Sequence, residues 1–238
     1  KEMLAAAKAK NFAKPDLKEW LKQIECWKKQ HPYPFSHTVR KNITQPDAIA
    51  ALYKVSGGKV LITTGVGQHQ MWTPQNFIFD KPRQFISSMG AGTMGFGLPA
   101  AVGAAFGAPE RTVCVFTGDG GFQMSIQELG TIMENRVPVK MILMNNNYLG
   151  NVRQWQDMFF EGKRSFTKML NPVYEKVADA YGIAYSLVTD RAALVGEVAR
   201  MLATPGPYLL ECAIKEEDNV LPMTPPGKSV DEMLLEIK

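Results

Sequence analysis

Cysteine is scarce in this chain of 238 residues. Cys26, Cys114 and Cys212 are the only three, far apart and with no CxxC pair. That excludes a disulfide framework and a cysteine-based zinc site, and it suits a reducing compartment. Long apolar runs are missing too: none reaches the roughly 18 residues that a membrane span needs. An excess of one charge sign is also lacking, since 27 Lys and Arg against 23 Asp and Glu leave a net +4. Much of that surplus comes from Lys8, Lys10, Lys14, Lys18, Lys22, Lys28 and Lys29, which alternate with apolar positions. This is the pattern of a solvated helix face; a nucleic-acid surface needs a concentrated basic face with aromatic platforms. No signal peptide is visible, although the chain opens at Lys1 and is expected to be part of a longer protein. Asn42-Ile43-Thr44 has the form of a glycosylation sequon, which means nothing without secretion. The expected location is the cytoplasm, with no nucleic-acid or membrane partner.

What is present builds a core. Hydrophobic residues make up 45% and charged residues 21% of the chain, an ordinary globular composition for one substantial core. Leu17, Trp20, Leu21, Ile24 and Trp27 recur at helical spacing and predict an amphipathic helix over Pro15–Gln30, stopped by His31-Pro32-Tyr33-Pro34. Residues 1–43 therefore read as a helical arm from a preceding domain. From residue 44 helices and strands alternate. Helices are predicted over Pro46–Val55, Gly95–Gly107, Ser125–Asn135, Pro172–Tyr181 and Asp190–Ala203. Strands are predicted over Lys59–Thr64, Gln84–Met89, Thr112–Thr117, Val139–Asn145, Ala184–Val188 and Tyr208–Ile214. The strands are continuous apolar runs, as when both faces are covered; Cys114 and Cys212 sit in two of them as small core residues. The expectation is an α/β fold: a doubly wound, mostly parallel sheet of about six strands, helices on both faces, over residues 44–215. Residues 216–238 form a charged and then proline-rich tail.

In such sheets ligands bind beyond the carboxyl ends of the strands. The loops expected there are Gly65–Trp72, Gly90–Gly95, Gly118–Phe122 and Asn145–Trp155. Two of them carry a metal signature. Asp119 lies in Thr117-Gly118-Asp119-Gly120-Gly121, and Asn146, 27 positions on, lies in Asn145-Asn146-Asn147-Tyr148-Leu149-Gly150. A strand precedes each and one crossover separates them. Mg²⁺ takes six oxygens, commonly one or two carboxylates with phosphates and water. Asp119 offers a carboxylate, Asn146 an amide oxygen and Tyr148 a backbone carbonyl; two diphosphate oxygens and a water complete the shell. Gly120 and Gly121 put no side chain in the way of the phosphates and lead into the helix expected near Ser125, whose amino end favours an anion.

Gly118-Asp119-Gly120 and Asn145-Asn146 at this separation resemble the thiamine-diphosphate motif of thiamine-dependent enzymes. Gly65-Val66-Gly67-Gln68-His69-Gln70-Met71-Trp72, Gly92-Thr93-Met94-Gly95-Phe96-Gly97, Gln154-Trp155-Gln156 and Val220-Leu221-Pro222-Met223 narrow the resemblance to the catalytic subunit of acetolactate synthases. It runs from about Thr44 to Gly227 and covers only the carboxyl-terminal domain of that family's three-domain subunit. The resemblance implies thiamine diphosphate and Mg²⁺, with FAD bound mostly outside this chain. It implies cofactor contacts at Val66, Gly67, Gln68, His69, Gly92, Met94, Gly118, Asp119, Gly120, Gly121, Asn146, Tyr148, Gly150 and Val152. Met94 would sit under the cofactor's centre and hold it bent, and Trp155 would stand at the mouth of the substrate channel. Gly121 stands where many members of that family carry a small hydroxyl residue, and Pro226 where a serine is frequent in some. The activating glutamate would come from the amino-terminal domain of a neighbouring subunit, so this chain alone is expected to be inactive. The complete enzyme would decarboxylate pyruvate and condense the hydroxyethyl unit with pyruvate or 2-oxobutyrate, as branched-chain amino-acid biosynthesis requires. The implied partners are small 2-oxo acids, a second copy in a homodimer or larger homo-oligomer, and a regulatory small subunit. Ligand loops and the aromatics near Trp72 and Trp155 would be partly exposed in isolation.

Other readings are poorer. A pyruvate oxidase, a glyoxylate carboligase or a separate cofactor-binding subunit of a split 2-oxo-acid decarboxylase shares the architecture but not the Gln-His-Gln-Met-Trp and Gln-Trp-Gln stretches. A dinucleotide site fails because Gln70 stands at the third glycine position. Gly227-Lys228-Ser229 ends like a P-loop, but Pro222 replaces its first glycine.

Overall fold

The apolar runs become six parallel strands of one sheet. They are β1 (Leu61–Thr64), β2 (Phe85–Ser87), β3 (Val113–Gly118), β4 (Lys140–Asn145), β5 (Ala184–Val188) and β6 (Tyr208–Ala213), in the order β2-β1-β3-β4-β6-β5. The computed structural model describes residues 1–10, 15–30, 42–216 and 218–235. β3, β4 and β6 bury every residue but the last, which requires cover on both faces. At the edge, β5 buries only Ser186 and Val188.

The cover is helical. On one face α3 (Gln45–Ser56), α4 (Gln68–Asn76) and α10 (Arg191–Ala203) enclose a core that includes Leu52, Trp72 and Val198. On the other, α5 (Gly97–Gly107), α7 (Glu128–Asn135) and α9 (Tyr174–Ala180) enclose Leu98, Leu129 and Tyr174. Successive strand residues feed opposite cores: Cys114 and Phe116 the first, Val113 and Val115 the second, following the two-residue period of a strand. The doubly wound expectation is met, with every strand pair parallel. Cys114 and Cys212 are fully buried core residues.

Local signals account for several boundaries. α3 starts at a capping box: Thr44 Oγ1 accepts from the Asp47 amide at 3.3 Å, and the Asp47 carboxylate accepts from the Thr44 amide at 3.0 Å. Pro46 stands in its first turn and Gly57, at φ +58°, stops it in the left-handed region. Three expected loops are instead partly helical. Gln68 opens α4, Asp119 opens α6 (Asp119–Met124), and Gly150 opens α8 (Gly150–Phe159). Glycines 120 and 121 and the internal Pro74 disguised these helices, which tertiary packing holds against weak propensity. The helix expected from Ser125 is α7, which begins at Glu128; the chain turns helical first at Asp119 itself. Trp72, expected to be partly exposed, is completely buried because α4 turns it into the first core.

The described residues fall into two compact units, 1–39 and 40–238. In the first, α1 (Glu2–Ala9) and α2 (Lys18–Gln30) bury no side chain, and Trp20 meets Trp27 edge-on at 5.5 Å between ring centroids. The predicted arm helix starts at Lys18, whose amide donates to Asp16 Oδ1 at 3.1 Å. Its expected stop at His31–Pro34 lies outside the described residues. Among the described residues no helix is long and apolar enough to cross a membrane.

The strand order fixes where a ligand belongs. β1 connects outward to β2, whereas β3 connects the other way to β4, so the crevice between the carboxyl ends of β1 and β3 is a topological switch point. α5 approaches this point closely. Thr63 Oγ1 donates to the Gly97 carbonyl at 3.0 Å, and a Cβ on Gly97 would collide with the Gly65 amide nitrogen and lie 2.8 Å from the Thr64 carbonyl carbon. Backbone cannot step aside, so Gly97→Ala is expected to destabilise the chain by about 2–3 kcal/mol. Gly103, in the same helix, has nothing within 4 Å of its missing Cβ. Gly103→Ala is therefore expected to stabilise by about 0.5–1 kcal/mol. Urea unfolding of both variants checks the pair; equal effects would sink the close-approach argument.

Candidate functional site

Three connections meet at the switch point and enclose a cleft of about 530 Å³, counting the open space at its mouth. The β1–α4 connection contributes Val66, Gly67, Gln68 and His69. The β3–α6 junction contributes Gly118, Asp119, Gly120 and Gly121. Beyond β4 come Asn146, Tyr148, Gly150 and Val152, and Met94 enters from the turn before α5. Of the cofactor contacts expected from the sequence, Gly92 alone lies elsewhere. It lines the adjoining opening with Gln70, Met89, Trp155 and Met223. Trp155 is about one-third exposed and packs edge-on against Phe159 at 5.2 Å. The cleft also holds Gln45, Met144, Leu149 and Asn151, which sequence reasoning missed. Gln45, at the first turn of α3, belongs to no motif, yet it is buried with its Oε1 unpartnered.

Asp119 is 1% exposed. Its Oδ1 accepts from the Gly120 amide at 3.0 Å and its Oδ2 from Asn171 Nδ2 at 2.7 Å. Burial pushes its carboxyl above the usual range, and the Asn171 hydrogen bond is the largest influence holding it down. Each oxygen keeps a lone pair after these bonds. Asn146 follows β4, and its Oδ1 accepts from the Tyr148 amide at 3.2 Å, again with acceptor capacity left. Its neighbours face away. Asn145 Nδ2 donates to Glu211 Oε1 at 2.7 Å, while Asn145 Oδ1 and Asn147 Oδ1 accept from Asn171 at 2.8 and 3.2 Å. Asn147 sits at φ +55°, a conformation that asparagine tolerates better than most residues.

Small residues keep the cleft open. A Cβ on Gly120 would lie 2.8 Å from Leu149 Cδ2 and 3.1 Å from Met169 Sδ; one on Gly150 would collide with Gln68 Oε1. The His69 ring fills the space left by three glycines, 2.9, 3.1 and 3.2 Å from the Cβ positions that Gly65, Gly67 and Gly118 lack. Burial drives its pKa down to about 4, opposed by the Gly65 backbone, so the ring is neutral near pH 7 with its Nε2 unpartnered. Gln68 Nε2 donates to Gln154 Oε1 at 2.9 Å and to the Asp218 carbonyl at 2.8 Å, leaving its Oε1 unpartnered. The tail is strapped over the same place: Gln154 exchanges hydrogen bonds with the Val220 backbone at 2.8 and 3.0 Å, and Arg153 Nη2 donates to the Asp218 carbonyl at 2.6 Å.

Among the described residues no three His, Cys, Asp or Glu side chains come together to hold a metal. A cation here would rest on one carboxylate, one amide oxygen and a backbone carbonyl, hard donors that leave coordination positions for phosphate and water. That is a Mg²⁺ pattern rather than a zinc pattern. Glycines whose Cβ atoms would close the walls leave room for a phosphate-bearing ligand, and the unpartnered Gln45 Oε1, Gln68 Oε1 and His69 Nε2 mark a polar one; the two amide oxygens accept, so they suit donor groups of such a ligand and not its phosphates.

Residues 65–212 match the family model "Thiamine pyrophosphate enzyme, C-terminal TPP binding domain". The chain is 42% identical over 231 residues to acetolactate synthase 1, chloroplastic, of Nicotiana tabacum, covering 94% of this chain and 34% of that protein. It is 40% identical over 230 residues to the mitochondrial acetolactate synthase catalytic subunit of Saccharomyces cerevisiae, and 39% identical over 230 residues to mitochondrial acetolactate synthase of Schizosaccharomyces pombe. Each match covers 95% of this chain and 34% of the relative. The chain thus spans about a third of the length of these relatives.

The buried His69 makes stability depend on pH. Below its ordinary value of 6.5 the unfolded chain takes up a proton that the folded chain refuses until about pH 4. The unfolded state binds more protons in that window, so this stability is present above pH 6.5 and is lost as pH falls toward 4. It amounts to about 3 kcal/mol at about 1.4 kcal/mol per pH unit. In His69→Gln the stability difference between pH 7 and pH 4 is expected to shrink by about that amount. Urea unfolding across this range checks it, and identical pH slopes in both proteins would refute the assignment.

Proposed function

This chain belongs to the thiamine pyrophosphate enzymes, as a C-terminal TPP-binding domain, and we propose that it is the cofactor-holding part of an acetolactate synthase. The observation that carries the proposal is the convergence of Asp119 and Asn146, from the ends of adjacent strands, on one glycine-walled cleft. In this reading the Asp119 carboxylate, the Asn146 amide oxygen and the Tyr148 carbonyl would hold Mg²⁺, and Gly120 and Gly121 would leave room for the diphosphate. Val66, Gly67, Gln68 and His69 close the other wall. The neutral His69 ring offers a hydrogen bond without a counter-charge, and Gln68, its amide nitrogen held by Gln154 and Asp218, offers its Oε1 as an acceptor. Gly150 and Val152 border the cleft at the start of α8, and Gly92 borders the adjoining opening. Met94, apolar and adaptable, lines the cleft and would support the cofactor's centre and favour its bent form. Trp155 guards the approach of a 2-oxo acid from that opening.

Bound there, thiamine diphosphate supplies the thiazolium electron sink that decarboxylation of a 2-oxo acid needs. The chain's own share is to bind, bend and shield it. The proposed overall reaction is a transfer of the two-carbon unit of pyruvate to a second pyruvate or to 2-oxobutyrate, for branched-chain amino-acid synthesis. The activating glutamate and most FAD contacts are assigned to regions outside this chain, which alone is expected to be inactive. A homodimer and a regulatory small subunit belong to the same proposal.

Calorimetric titration of thiamine diphosphate tests the site. Binding is expected with Mg²⁺ and not without it, and Asp119→Ala is expected to lower affinity at least about a hundredfold, as loss of a charged ligand to a buried cation does. The chain is also to be joined to the preceding two thirds of the tobacco relative. That fusion is expected to form acetohydroxybutyrate from pyruvate and 2-oxobutyrate. Binding by neither form would refute the site, while binding with no carboligation would point to a different thiamine enzyme of the same architecture.

A further inference from the structure

The geometry points to Asn171 as a positioning residue that sets the Asp119 carboxylate for the cation; this rests on the reading of Asp119 as a metal ligand. Asn171 lies 52 positions from Asp119, in coil just ahead of α9, outside every motif and outside the lining of the cleft. Its single amide nitrogen stands 2.7 Å from Asp119 Oδ2, 2.8 Å from Asn145 Oδ1 and 3.2 Å from Asn147 Oδ1. An amide NH₂ has two hydrogens for these three acceptors. The two short contacts tie the start of α6 to the end of β4, the two places that present Asp119 and Asn146.

Its orientation is set from both sides. Gln123 Nε2, on α6, donates to Asn171 Oδ1 at 2.8 Å, so the nitrogen must face Asp119. Asn145 is held in turn by Glu211, which also accepts from Tyr185 Oη at 2.6 Å, so the Asn145 oxygen must face Asn171. The backbone brings Asn171 there. The Leu149 amide donates to the Thr167 carbonyl at 2.8 Å and the Met169 amide to the Asn147 carbonyl at 2.8 Å, pairing the segment before Asn171 with the asparagine loop. Asn145 and Asn147 point toward Asn171 and Asn146 lines the cleft, so the loop has a braced back and an open front. Asn171 holds Asp119 Oδ2 from the back; the remaining lone pairs stay at the cleft. Outer partners that aim a ligand in this way commonly contribute ten- to hundredfold to metal affinity.

The test is the Mg²⁺ concentration giving half-maximal thiamine diphosphate uptake, read by calorimetry in the chain or in its fusion, whichever takes up cofactor. Asn171→Ala and the isosteric Asn171→Asp are expected to raise that concentration about ten- to hundredfold. Affinity at saturating Mg²⁺ is expected to stay within about threefold. Gln123→Glu replaces the donor with an acceptor, which turns the Asn171 amide over and presents its oxygen to Asp119 as well as to Asn145 and Asn147. It is expected to raise the Mg²⁺ requirement about tenfold despite adding a negative charge, and to add nothing further in an Asn171→Ala background. If Asn171→Ala fails to fold, Gln123→Glu carries the test. A lowered melting temperature with an unchanged Mg²⁺ midpoint would overturn the inference alone and leave Asn171 a structural tie. Uptake by neither wild-type form would overturn the inference together with the cofactor site.

Discussion

The structure around the cleft is organised by one constraint: a carboxylate, Asp119, is buried at the junction of β3 and α6. Removing a charge from water is tolerated only where donors or a cation replace the water. The Gly120 amide supplies one donor through the local turn, and Asn171 supplies another from a distant part of the chain. Neither is a positive charge. The neighbours that could have been cationic are asparagines and glutamines, so the site is neutral in its donors and remains short of positive charge. An acid buried among neutral donors is what the proposed cation site would need.

The same constraint explains the neighbouring asparagines. Successive residues leaving a strand point to opposite sides. Asn146 is thereby delivered to the cleft, while Asn145 and Asn147 are delivered to Asn171 behind it. Apolar side chains at 145 and 147 would leave the Asn171 nitrogen only one acceptor and remove the tie to Glu211. Glycine acts in the complementary sense. At Gly120 and Gly150 a single Cβ would run into Leu149, Met169 or Gln68, so the walls are as close as backbone permits. His69 shows the same economy of space, since its ring occupies volume surrendered by three glycines and is left neutral by that enclosure.

Much of this was legible in the sequence, for identifiable reasons. The six strands are continuous apolar runs and declare themselves. Asp119 and Asn146 sit next to strand ends, where local order and function coincide. Helices α4, α6 and α8 were read as loops because Pro74, Gly120, Gly121 and Gly150 carry low helix propensity, whereas contact with the sheet decides their conformation. Trp72 was expected to be partly exposed in isolation, as part of a surface packed by other domains, but α4 turns it into the domain's own core. Gln45 and Asn171 left no signal at all: each is a single polar residue in a segment without periodicity, brought to the site by strand order and by the pairing of Thr167 and Met169 with the asparagine loop.

That difference separates two kinds of functional residue. Ligand-facing groups at strand ends are constrained by their immediate neighbours, because the glycines and the turn must accommodate both backbone and ligand. Groups that aim a ligand need only reach it, and any segment that the fold carries past can provide them. Their signature is therefore three-dimensional: a polar side chain that meets partners from several elements and has both of its ends assigned. Asn171 satisfies this, with Gln123 on its oxygen and acceptors from β3–α6 and β4 on its nitrogen. Such a residue links the two strands whose spacing sets the distance between Asp119 and Asn146, so its contribution depends on the sheet register Gly118 to Met144 as much as on its own hydrogen bonds.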